Sequence, residues 1–101
     1  MSKVSWMPSA LDDLKSIRDY IAKDSVYYAG KFVEGAFKAV ERLKQFPRSG
    51  RMVPEMENPA LREIIYGSYR IIYELDNSNV QILTVIHSMR LLPKDDNGVP
   101  Y

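Results

Sequence analysis

Glu63, Arg70, His87 and Arg90 are the side chains of this sequence whose types could combine into acid–base chemistry. Glu63 or His87 could take a proton, Arg70 and Arg90 could steady developing negative charge, and His87 could return a proton to a leaving oxygen. That division of labour suits a phosphoryl group attacked without a metal ion. Arg70 raises the question most sharply. It stands in GSYRIIYEL (67–75), a run that otherwise reads as sheet core, and a buried charge is costly unless it is paired. A plainer reading pairs Arg70 with Glu63 or Glu74 as an exposed cross-strand ion pair, which contributes little. His87 is the sole histidine of a chain without cysteine, a poor basis for a metal site. Its plainer role is a strand-end residue hydrogen-bonded to backbone. No metal or cofactor is expected.

Regular elements must bring these residues together. Lys3–Trp6 predicts a short strand. PSALDDLKSIRDYIAKDS opens with Pro8 and a capping-box-like Ser9 and Asp12, and Leu11, Leu14, Ile17 and Ile21 form one stripe, with Asp12 and Asp13 off it. A second helix, capped by Asp24 or Ser25, has Ala29, Phe32, Val33, Ala36, Phe37, Val40 and Leu43 on its apolar face. The tight connection predicts an antiparallel helical hairpin. Prolines and a glycine exclude regular structure across Phe46–Pro59, with Phe46 pinning that loop to the core. From Leu61 to Ser88, β-branched and aromatic residues predict three strands joined at Gly67-Ser68 and Asn77-Ser78. The fold class is α+β, in the order β-α-α-β-β-β, with an antiparallel sheet packed on one helical hairpin. Residues 1–92 form a single domain and residues 93–101 a tail.

Two-residue turns fix the register, and register assigns faces. Tyr66 then pairs with Tyr69 and Leu75 with Val80. Ile64, Tyr66, Tyr69, Ile71, Tyr73, Leu75, Val80, Ile82, Thr84 and Ile86 share the face that packs on the helices. Arg62 has the same parity but lies where its side chain reaches water. Glu63, Ile65, Arg70, Ile72, Glu74, Gln81, Leu83, Val85 and His87 share the other face, with Arg70 opposite Val85. That mixed face is expected to be open, and its apolar residues call for a covering partner, dimer mate or substrate.

The remaining features are less specific. The chain has 101 residues, 46% of them hydrophobic, and a net charge of +1, so neither staples nor a dominant field is implied. The start lacks the apolar run of a signal peptide or membrane helix, which fits a cytoplasmic protein and no membrane partner. Lys38, Arg42, Lys44, Arg48 and Arg51 face only Glu41 over residues 38–51, a stripe best read as a solvated helix face. Tyr27 and Tyr28 read as core edge, and Met52 and Met56 as gap fillers.

LREIIYGSYRIIYEL, VQILTVIHSMR and FPRSGR, in this order of elements, resemble the RelE/ParE superfamily of toxins from toxin–antitoxin modules, over roughly Val4 to Leu92. The resemblance implies a small toxin held inactive by an antitoxin segment that wraps it. RelE-like members cut messenger RNA in the ribosomal A site without metal, whereas ParE-like members bind DNA gyrase and trap it on cleaved DNA. RelE-like catalysis draws on lysines in the strand before the Tyr-Arg strand. Leu61-Arg62-Glu63 lacks them, so the sequence looks ParE-like. Arg70 matches the family's Tyr-Arg arginine, and Arg90 falls near its C-terminal arginine.

The expectation is a growth-inhibiting toxin of the plasmid-stabilisation type that inhibits gyrase by binding. The alternative is a ribosome-dependent mRNA endoribonuclease using Glu63, Arg70, His87 and Arg90. Residues expected to meet target or antitoxin are Arg62, Arg70, Ile72, Leu83, His87 and Arg90. A toxin homodimer and a toxin–antitoxin heterotetramer both remain open. The antitoxin is expected to lay acidic and apolar side chains over the mixed face and the hairpin, burying Ile72 and Leu83.

Overall fold

A computed structural model describes residues 1–92; the expected tail, 93–101, lies outside the described residues. Strand β1 (Val4–Trp6) leads into helices α1 (Pro8–Ala22) and α2 (Val26–Glu41), which a short 3₁₀ turn (Arg42–Lys44) extends. Then follow β2 (Arg51–Met52), β3 (Leu61–Tyr66), β4 (Tyr69–Asp76) and β5 (Asn79–His87). The sheet order is β1-β5-β4-β3-β2. It is mixed rather than wholly antiparallel, because β1 runs parallel to β5 with Val4 opposite Val80 and Trp6 opposite Ile82. The helical hairpin supplies the crossover that a parallel pair requires. The other addition is β2. Its two residues pair with Arg62 and Glu63, since Pro47, Pro54 and Pro59 flank this stretch and remove no donor from within it.

Capping separates the two helices. Ser25 accepts the Tyr28 N–H at 3.1 Å and starts α2 as expected. α1 has no side-chain cap; Met7 precedes Pro8 at the first helical position. Ser9 is diverted from the expected capping box, its hydroxyl donating to the Leu83 carbonyl of β5.

Both hairpin turns have two residues, with Gly67 and Asn77 in the left-handed region at φ 57° and 59°. Tyr66 therefore faces Tyr69, and Leu75 faces Val80, as the turn lengths require. The alternation then breaks. Tyr73 pairs with Ile82 but Ile72 pairs with Thr84, leaving Leu83 as a bulge. Beyond it Arg70 stands opposite Ile86 rather than Val85, and Tyr69 opposite His87. Val85 joins the helix-side core, and Ile86 packs on the other side. The bulge is held from α1. Asp13 accepts the Thr84 hydroxyl and the Val85 N–H, and the Met7 N–H donates to the Ile82 carbonyl.

Two cores result. Ala10, Leu14, Ala36, Val40, Leu43, Ile64, Ile71, Tyr73, Val80, Ile82 and Val85 fill the helix side. On the face expected to be open, the chain covers itself: Val53 and Met56 from the β2–β3 loop and Leu92 pack on Leu61 and Ile72, with Leu83 and Ile86 alongside. Each fully buried side chain of this size contributes about 1.5–3 kcal/mol of transfer free energy, so the loop is an integral third layer. Phe46 does not pin it, being 62% exposed. Tyr73 does: its hydroxyl donates to the Pro47 carbonyl at 2.7 Å and accepts the Gly50 N–H at 3.0 Å. A Cβ at Gly50 would lie 2.6 Å from both that hydroxyl and the Glu63 carbonyl oxygen, so only glycine fits this approach.

Candidate functional site

Arg70 faces away from the helices, but the loop that covers its face leaves it only 4% exposed. Nη1 donates to Glu55 Oε1 and to Glu63 Oε1, each at 2.8 Å. Nη2 donates to Glu55 Oε2 at 2.6 Å and to the Arg90 carbonyl at 2.7 Å. These bonds engage all four Nη hydrogens, with Glu55 held in the bidentate fork that guanidinium geometry favours. Nε is buried without a hydrogen-bond partner. Glu63, 1% exposed, places its second oxygen 2.6 Å from Arg51 Nε. The result is one continuous chain, Arg51–Glu63–Arg70–Glu55, which ends on the Leu92 N–H at 2.8 Å from Glu55 Oε2. The Arg70 guanidinium holds the Glu55 carboxyl well below its ordinary range, at about 2, and the Leu92 N–H assists against the opposing effect of burial. The same contacts raise the Arg70 pKa.

This network corrects the open-face placement of Arg70. The four candidate groups also lie apart: Glu63 is paired beneath the loop, Arg90 meets Arg70 through its carbonyl, and His87 lies across the sheet. His87 follows the bulge onto the helix side, where its ring meets Tyr69 edge-on at 5.6 Å. Its Nδ1 accepts the Met89 N–H at 3.1 Å, so the neutral ring carries its proton on Nε2. The backbone role expected of a strand-end histidine is therefore observed. Arg90 is exposed, and its carbonyl rather than its guanidinium meets Arg70. Glu63 has both oxygens engaged by arginines. Ile72 is fully buried under the chain's own loop, so a partner cannot bury it further, and Leu83 is half-buried beside it. Arg62 is half-buried and donates to the Pro59 and Gly50 carbonyls.

Glu55 was not among the expected site residues. VPEM sets this acid between apolar residues inside the loop, which is the one sequence signal that the loop packs down and brings a charge with it. Asp13, read as lying off the apolar stripe of α1, instead flanks it and reaches β5. The basic stripe is largely neutralised: Lys38 pairs with Glu34, Lys44 with Glu41 and Arg51 with Glu63. Tyr27 and Tyr28 are exposed rather than at the core edge. Among the described residues no group of three or more His, Cys, Asp or Glu could hold a metal ion, and no helix is long and apolar enough to cross a membrane.

Residues 4–92 match the family described as the ParE toxin of the type II toxin–antitoxin system parDE. The chain is 33% identical to toxin RelE2 of Caulobacter vibrioides over 92 residues, covering 90% of this chain and all of that one. It is 32% identical to the putative toxin Y4kP of Sinorhizobium fredii, covering 91% and 94% of the two chains. Among solved structures, a chain of the chromosomal ParDE system of P. aeruginosa superposes with a TM-score of 0.72 at 24% identity, covering 86% of this chain and 96% of that one. A chain of the RelBE2 toxin–antitoxin complex of Mycobacterium tuberculosis gives 0.54 at 27% identity, covering 85% and 96%.

Proposed function

Because the chain belongs to the ParE toxin family of type II toxin–antitoxin systems, we propose that it inhibits growth by binding DNA gyrase and performs no bond-breaking chemistry of its own. The toxin is neutralised by a cognate antitoxin, in keeping with structural neighbours that are toxin–antitoxin systems. A gyrase target places it in the cytoplasm, and a role in plasmid stabilisation is consistent with such a module.

The observation that carries this reading is the state of Arg70. Metal-free cleavage of RNA needs a cation facing the scissile phosphate and a base and an acid within hydrogen-bond reach of it. Here the guanidinium is covered, with its four Nη hydrogens engaged by Glu55, Glu63 and the Arg90 carbonyl, while His87 projects from the opposite side of the sheet. The absence of lysines in Leu61-Arg62-Glu63 supports the same conclusion.

The test compares two targets in parallel. Purified protein should inhibit gyrase supercoiling and leave ribosome-bound messenger RNA intact. Cleaved message with unimpaired supercoiling would replace this reading with the endoribonuclease.

A further inference from the structure

Residues 88–92 follow β5 without joining a helix or strand, yet their backbone is tied almost continuously. The Ser88 N–H donates to the Ser68 carbonyl at 2.8 Å and the Arg90 N–H to the His87 carbonyl at 3.0 Å. The Met89 N–H donates to His87 Nδ1 at 3.1 Å. The Arg90 carbonyl accepts from Arg70 at 2.7 Å, and the Leu92 N–H donates to Glu55 at 2.8 Å. The Leu92 side chain is buried in the second core. Between these anchors Met89 and Leu91 are 84% and 78% exposed, and Arg90 is exposed as well. Neither apolar side chain joins either core. Among the described residues the Arg90 guanidinium has no ion-pair partner, and the nearby acids Glu55 and Glu63 are engaged by Arg70 and Arg51.

A cation flanked by two large apolar side chains on a fixed backbone adds little to the fold of the free protein. It has the composition of an interface anchor, and its prior ordering lowers the entropy lost on association. We propose that Met89-Arg90-Leu91 is a preformed docking knob for the antitoxin, and that Glu55, Arg70 and His87 are the positioning residues that hold it. The inference rests on the toxin–antitoxin reading and adds the contact and its chemistry. Charge complementarity defines the occupant: an antitoxin surface with a carboxylate set among apolar side chains. Met89 and Leu91 then exclude water around the ion pair and so strengthen it. A lone cation between aliphatic side chains provides neither the run of charges nor the aromatic platform that nucleic acid favours.

The experiment uses the full chain and the purified product of the adjacent open reading frame, with affinity measured by calorimetry. R90E should weaken binding roughly tenfold or more, M89A and L91A should each weaken it less, and all three should keep the wild-type melting temperature. K15A, on the exposed face of α1, should bind as wild type. E55Q should weaken binding with Arg90 itself intact and should speed amide exchange at residues 90–92. Wild-type affinity in R90E and L91A would overturn the proposal, as would loss of toxicity with antitoxin affinity retained, which would assign the knob to the target. Failure of the unaltered chain to bind that product would overturn the toxin–antitoxin reading itself, and the knob with it.

Discussion

At the scale of single residues, Arg70 and Glu55 show how a charge can be both deeply placed and structural. The Glu55 carboxyl titrates near 2 in the folded chain against an ordinary 4.5. A folded-state pKa below the unfolded one stabilises the protein above the unfolded value, and that stabilisation is lost as pH falls from about 4.5 toward 2. Its full size is on the order of 3 kcal/mol. Chemical denaturation between pH 2 and 6 should show this loss in the wild type, and E55Q should flatten the slope over the same window. Arg70→Ala should cost about 3–5 kcal/mol, because it strands Glu55 and Glu63 under the loop. His87→Ala should cost far less, since that ring is exposed and gives up only the Met89 N–H and an edge contact with Tyr69. Paired melting curves check the contrast, and an equal effect of the two substitutions would contradict the structural role assigned to Arg70.

At the scale of elements, the sheet was legible wherever turn chemistry controls it. Gly67-Ser68 and Asn77-Ser78 set the pairing of β3, β4 and the first half of β5, and every face assignment made from them holds as far as Ile82. Leu83 keeps its face, but the assignment fails beyond it, at Val85, Ile86 and His87, because the bulge has no glycine or proline to announce it; the side chain that holds it, Asp13, lies 71 residues from Thr84. A long-range hydrogen bond leaves no periodicity in the local sequence. The same limit hid β2 and Glu55, since prolines mark where a loop begins and ends but not what it packs against. Asp13 also closes the outer edge of β5, where β1 has already ended. Asp13→Ala should leave the Val85 N–H and the Thr84 hydroxyl unpaired and cost roughly 1–3 kcal/mol. Hydrogen exchange should show the effect first at Val85, with His87 losing its fixed contact with Tyr69.

At the scale of the whole molecule, the chain is three layers, helices over sheet over loop, and the third is fastened by Leu92 and Glu55 together. A sheet face bearing Ile72, Leu83 and Ile86 would otherwise be a liability in water, and the charged network fixes where the covering loop lies. The apolar and ionic fastenings act on the same segment, so they should not behave independently. Leu92→Ala should cost about 2–5 kcal/mol through the cavity it leaves against Val53, Met56 and Ile72. E55Q leaves one acceptor oxygen where the carboxylate has two, which breaks the fork on Arg70 and weakens the hold on the Leu92 N–H. Once either change has released residues 90–92, the other has less left to break. The double variant should therefore lose less stability than the sum of the two, by about 0.5–3 kcal/mol. A denaturation cycle on wild type, both single variants and the double variant measures that coupling. Additive losses would mean that the loop and the C-terminal segment open separately and that the third layer is not one cooperative unit.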